Sequence, residues 1–145
     1  MIKIMFINGA NLNLLGVRET SVYGMKSLDD VNLRISQYAA SRGFSAEFFQ
    51  SNVEGEIIDK IHSCSGKYDA AVINPGAFTH YSIAIRDAIS AVDIPFVEVH
   101  ISNIYGREEF RRHSVTAPVC AGQISGFGED SYILAAESVI LRLGG

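Results

Sequence analysis

The sequence predicts an α/β fold: a parallel sheet lying between two layers of helices. Three observations predict it. Short, near-continuous apolar runs recur along the chain, as expected of strands covered on both faces. Segments with apolar residues at helical spacing alternate with those runs, and such alternation implies crossover connections between parallel strands. The 145 residues are 48% hydrophobic and 19% charged, which suits one soluble globular domain with enough chain to bury a full core.

The first strand is residues 2–7 (IKIMFI), and it stops at Asn8-Gly9-Ala10-Asn11. The connection to Lys26 is long for an α/β loop, and long loops in compact domains tend to be functional or mobile. It carries Asn11, Asn13, Arg18, Glu19 and Tyr23, with Gly16 and Gly24 as hinges, so residues 16–26 are expected to form a mobile lid. Ser27, with Asp30 three residues later, has the pattern of a capping box. Leu28, Val31, Ile35, Tyr38 and Ala39 follow at helical spacing, and Gly43 is the stop signal. Residues 44–49 read as the second strand. Ile57, Ile58 and Ile61 mark one face of a second helix that ends near Gly66. Residues 70–73 are a third, fully apolar strand, ending at Asn74-Pro75-Gly76. A helix over 83–92 and a strand over 96–99 come next. The fifth strand covers 123–125, with an extension back to Cys120 as a second reading, and a helix over 132–143 closes the chain.

Five strands in this rhythm suit a flavodoxin-like three-layer sandwich, a five-stranded parallel sheet of order 2-1-3-4-5 with helices on both faces. Ligands in such sheets bind beyond the carboxyl ends of the strands, where the order reverses. Those positions are residues 8–13, 74–80 and 100–103, and polar side chains gather at all three while staying sparse within the strands.

Charge and composition narrow the partners. Net charge is −4, and the arginines are dense only from Arg107 to Arg112, so a small anionic ligand is expected and a nucleic acid is not. No apolar run approaches the roughly 20 residues that span a bilayer, and no leader peptide precedes the first strand, so no membrane partner is expected. Cys64 and Cys120 form no C-x-x-C pair, which suits free thiols in the cytoplasm.

His100 ends a strand two residues after Glu98, so the two point to one side and the carboxylate can orient and tune the imidazole. A satisfied structural histidine is the competing reading. His80 follows a glycine turn, where a helix cap competes with a site role. Tyr23 lies five residues after Arg18. A tyrosine with pKa near ~10 is a poor base, but a neighbouring guanidinium favours the phenolate, so the pair could form a general base on a closing lid. Packing the loop down would serve Tyr23 equally. Arg107 and Arg111 are four apart and would share a helical face, with Arg112 turned away, so one of the three is expected to reach the site. Asn11, Asn13 and Asn74 suit recognition of hydroxyl or carbonyl groups. The first loop lacks G-x-G-x-x-G, His62 and Cys64 do not face each other, and no cluster has metal-ligand spacing, so neither dinucleotide nor metal is expected. Asp87, within the third helix, reads as a surface charge.

Together these segments resemble the type II 3-dehydroquinate dehydratases (3-dehydroquinases). The residues that carry the resemblance are NGANLNLLG at 8–16, Arg18-Glu19 to Tyr23-Gly24, NPGAFTH at 74–80, Ile85-Arg86-Asp87, EVHISN at 98–103, REEFRRHS at 107–114 and GQISGFG at 122–128. The resemblance spans nearly the whole chain in unbroken order. It implies reversible elimination of water from 3-dehydroquinate to 3-dehydroshikimate through an enolate, without metal or cofactor, in the shikimate pathway of aromatic biosynthesis or in quinate breakdown. It implies that Tyr23 is the base and that Arg18 stabilises its phenolate. His100, positioned by Glu98, would protonate the departing hydroxyl, and Asn11 would hold a water against the enolate oxygen. Asn74, His80 and Arg111 would bind substrate hydroxyls, and the amides of Ile101 and Ser102 the carboxylate. Asp87 would reach the site of a neighbouring subunit, in a homododecamer built as a tetramer of trimers. Ala10 and Thr20 stand where the family generally has proline. Tyr105-Gly106 and Val115-Thr116 also depart from its pattern. None is expected to touch a residue with an assigned role, so the changes bear on lid kinetics and affinity and not on reaction class. A flavodoxin-like module that binds flavin or another anion without catalysis is the alternative from another class, and a non-catalytic assembly scaffold is a third.

Overall fold

The computed structural model describes residues 1–17 and 26–144. The expected lid falls largely on residues 18–25, so its mobility, along with Arg18, Glu19, Thr20, Tyr23 and Gly24, lies outside the described residues. Strand β1 (Lys3–Asn8) sits between β2 (Ser45–Gln50) and β3 (Ala70–Asn74). Strand β4 (Phe96–His100) and then β5 (Gly122–Ser125) complete a parallel sheet of order β2-β1-β3-β4-β5, as expected.

Alternation within the strands splits the core in two. Ile4, Phe6, Val72, Val97 and Val99 face helices α1 (Leu28–Arg42) and α4 (Asp130–Leu143), packing with Val31, Ile35, Ala135 and Val139. Met5, Ile7, Ala71, Ile73 and Phe96 face α2 (Glu54–Ser63) and α3 (Ile83–Ala91), packing with Ile57, Ile61, Ile85 and Ile89. Both faces of the sheet are therefore covered, which is why the strands read as nearly unbroken apolar runs. The capping box is present: the Ser27 hydroxyl accepts from the Asp30 amide at 3.1 Å, and the Asp30 carboxylate accepts from the Ser27 amide at 3.2 Å. Gly43 ends α1 in the left-handed region at φ 78°.

Three expectations need correction. Helix α2 ends at Ser63, with Cys64 as its cap. Strand β5 does not extend back to Cys120, because residues Ala117–Val119 form a separate turn. The arginine segment is no helix face but two single 3-10 turns, Ile104–Gly106 and Glu109–Arg111. The Asn103 side chain accepts from the Tyr105 amide at 3.1 Å and caps the first turn, and an Arg111–Glu108 pair three residues apart closes over the second.

Candidate active site

The sheet register sets two polar residues side by side, with a third one residue further along the next strand. Asn8, Asn74 and His100 are the last residues of β1, β3 and β4, and Asn8 is in direct register with Asn74. The loops beyond them are drawn together by backbone. Gly9 donates its N–H to the Asn74 carbonyl at 2.8 Å. A Cβ on Gly9 would lie 2.3 Å from the Pro75 carbonyl oxygen, and one on Gly76 (φ 64°) would lie 2.6 Å from that of Ala10. Only residues without a Cβ permit this approach.

Between these loops lies a cavity of ≈ 700 Å³ lined by Asn11, Asn74, His80, His100, Ile101, Ser102, Arg107 and Arg111, with Leu12, Leu14, Leu15 and Ile104 as apolar wall. All three strand ends singled out from the sequence contribute to it. The mix of apolar wall and few convergent polar groups is that of a small-molecule site.

His100 and Glu98 are held together as expected, with Nε2 of His100 2.9 Å from the Glu98 carboxylate. Glu98 is fully buried, so its charge must be matched by donors. Ser114 Oγ and Gln123 Nε2 each donate to it at 2.9 Å, and Thr116 Oγ1 donates to its other oxygen. Thr79 Oγ1 ties Ser114 and Thr116 together at 2.8 and 2.7 Å. Burial pushes the Glu98 carboxyl up, but hydrogen bonds from His100, Thr116 and Gln123 outweigh it, and the carboxyl sits below its ordinary value. An anion held there keeps a proton on Nε2 of His100.

His80 Nδ1 lies 2.8 Å from the His113 carbonyl oxygen. A carbonyl only accepts, so Nδ1 carries the proton, and Nε2 of the neutral ring is left as an acceptor. Asn74 is buried; its Oδ1 accepts from the Gly76 amide at 3.1 Å and its Nδ2 donates to the Tyr132 hydroxyl at 3.0 Å. Asn11 takes the left-handed conformation at φ 69°, the sole non-glycine among the described residues to have positive φ. Its amide donates to Asn52 Oδ1 at 2.8 Å, while its carboxamide has no protein partner among the described residues. The backbone is pinned and the side chain is left for the cavity.

The arginines differ from expectation, since both Arg107 and Arg111 line the cavity and Arg112 does not. Arg111 bonds Glu108 at 2.6 Å and its guanidinium lies 4.9 Å from the centre of the Phe110 ring. Asp87 is exposed on α3 and lies apart from the cavity, and Asn13 lines a different, smaller cavity. Arg18 and Tyr23 lie outside the described residues. Among the described residues no group of His, Cys, Asp and Glu is placed to hold a metal ion, and no helix is long and apolar enough to cross a membrane.

Sequence reasoning placed Asn8 and Thr79 at the strand ends without giving them a part, passed over Gln123 and Tyr132, and expected Thr116 to touch no residue with a role, whereas its hydroxyl donates to Glu98. Tyr132 was read only as the start of the last helix, and its polar end was the signal available, because a buried tyrosine hydroxyl needs a partner.

The model of the family "Dehydroquinase class II" matches residues 2–140. A 3-dehydroquinate dehydratase from Caldicellulosiruptor bescii is 64% identical over 136 residues, covering 93% of this chain and 94% of its own length. The crystal structure of a type II dehydroquinase from Butyrivibrio crossotus superposes with a TM-score of 0.91 at 51% identity, covering 95% of this chain and 97% of that one. A type II dehydroquinase from Propionibacterium acnes gives 0.92 at 40% identity, covering 97% of each chain.

Proposed function

The chain belongs to the class II dehydroquinases, and from that premise we propose that it dehydrates 3-dehydroquinate to 3-dehydroshikimate, a step of the shikimate pathway. It is a hydro-lyase. The observation that supports the chemistry best is His100 at the wall of the cavity where the strand order reverses, its Nε2 held 2.9 Å from the buried Glu98 carboxylate.

The substrate carries a weakly acidic proton at C2, next to its ketone, and a poor leaving group at C1. Tyr23, assisted by Arg18, takes the C2 proton, and the electron pair moves onto the ketone oxygen as an enolate. That oxygen needs a donor already in place, and Asn11 supplies one through a water it holds. The enolate then collapses, the C1–oxygen bond breaks, and His100 gives the departing hydroxyl its proton so that it leaves as water. Glu98 offsets the positive charge of the imidazolium and fixes its ring. His80 Nε2 accepts from a substrate hydroxyl, Asn74 and Arg111 hold others, and the amides of Ile101 and Ser102 meet the carboxylate. No cofactor or metal enters this scheme. Family membership favours it over the flavin-binding alternative.

Asp87, exposed and apart from its own cavity, suits a role in a neighbouring subunit's site. Its placement fits assembly as a homododecamer, a tetramer of trimers. The reading includes one catalytic domain over residues 1–145, a lid at about 16–26 and a cytoplasmic setting.

Tyr23→Phe tests the assignment of the base. Turnover should fall by roughly 10²–10⁴-fold, the usual worth of a general base, while KM changes little. Near-normal kcat would remove Tyr23 from that role.

A further inference from the structure

We infer that the buried hydroxyl of Tyr132 is a positioning group for substrate binding: through a directional hydrogen-bond chain it holds the Asn74 carboxamide in one orientation at the cavity. The inference rests on the reading above that Asn74 binds substrate.

Tyr132 stands at the start of α4 with its side chain fully buried. Its hydroxyl donates to Asn8 Oδ1 at 2.6 Å and accepts from Asn74 Nδ2 at 3.0 Å. The two partners are 124 and 58 residues away in sequence, so one phenol joins the ends of β1 and β3, two of the three strands whose loops build the cavity. The direction of the chain is dictated by groups with no choice of role. The Gly76 N–H, 3.1 Å from Asn74 Oδ1, can only donate. That orients Oδ1 toward Gly76 and leaves Nδ2 for Tyr132. The phenol oxygen therefore accepts, and its single proton goes to Asn8 Oδ1. Burial pushes the phenol well above its ordinary value, a rise that the Asn74 hydrogen bond only partly offsets, so the proton stays in place. With one N–H of Asn74 committed to Tyr132, the other has no protein partner among the described residues, and Asn74 lines the cavity. The carboxamide thus offers a donor to a substrate oxygen.

A phenylalanine would fill the same volume with a ring alone. Packing does not require the hydroxyl, whereas orientation of Asn74 does. Without it Asn74 loses one of the two bonds that define its orientation, and Asn8 Oδ1 is left buried without its donor.

Steady-state kinetics with 3-dehydroquinate on Tyr132→Phe, Asn74→Ala and the double variant, beside thermal melts, separate the possibilities. We expect Tyr132→Phe to raise KM on the order of tenfold, the worth of about one hydrogen bond, with kcat nearly unchanged. In the Asn74→Ala background the same change should raise KM no further. A lowered melting temperature with unchanged KM would make Tyr132 merely structural and overturn the inference. So would a fall in kcat alone, or KM effects that multiply in the double variant. If Asn74→Ala itself leaves KM unchanged, Asn74 has no substrate role and the inference falls with it; if Asn74→Ala impairs binding and Tyr132→Phe does not, the inference alone fails. Should Tyr132→Phe not fold, Asn8→Ala cuts the same chain at its far end and must reproduce both results, an unchanged KM there overturning the inference.

Discussion

Glu98 and His100 were legible because strand geometry alone puts residues two apart on one side. What holds Glu98 was not. Ser114, Thr116 and Gln123 reach it from 16, 18 and 25 residues away, and no local pattern records such a convergence. The same holds for Tyr132, which reads as the start of the last helix without any sign of what its hydroxyl meets. The network makes a pH prediction. The folded carboxyl of Glu98 lies below its ordinary value, so the stability it contributes is fully present above the ordinary carboxylate range and is lost as pH falls through the folded value. Glu98→Gln should therefore flatten the acid limb of a stability-versus-pH curve. It should also lower kcat roughly hundredfold, since His100 loses the anion that orients it. An unchanged acid limb with wild-type kcat would deny Glu98 both roles.

Each strand end owes its place to the elements beside it. The N-G-A-N turn after β1 and the N-P-G turn after β3 were recognisable as turns, but not as turns that cross within van der Waals distance. That closeness depends on Gly9, where a Cβ would meet the Pro75 carbonyl oxygen at 2.3 Å. Gly9→Ala should cost at least ~2 kcal/mol in denaturant unfolding and weaken substrate binding, because the Asn74 and Asn11 loops must separate. Unfolding and KM like those of the unsubstituted protein would show that the turns tolerate separation. The stretch after β4 was misread because Arg107 and Arg111 have helical spacing. Side-chain caps from Asn103 and the Glu108–Arg111 pair favour single turns, and those turns bring both arginines to the cavity. Spacing rules hold only where a helix is long enough to repeat.

At the scale of the molecule, the strand order β2-β1-β3-β4-β5 was readable because parallel strands buried on both faces leave long apolar runs with helices between them. The order also explains why one chain gathers its cavity from three strand ends. Asp87 is exposed on α3, apart from its own chain's cavity. If that carboxylate serves a neighbouring site, light scattering should give a mass near twelve chains, and a monomeric mass at full activity would contradict the assembly. The dehydration itself is read most directly from its product. Purified protein, mixed with 3-dehydroquinate in the presence of a chelator, should generate the ultraviolet absorbance of a conjugated enone at a rate proportional to enzyme. No absorbance change at ample protein concentration, or one that depends on added metal, would contradict it.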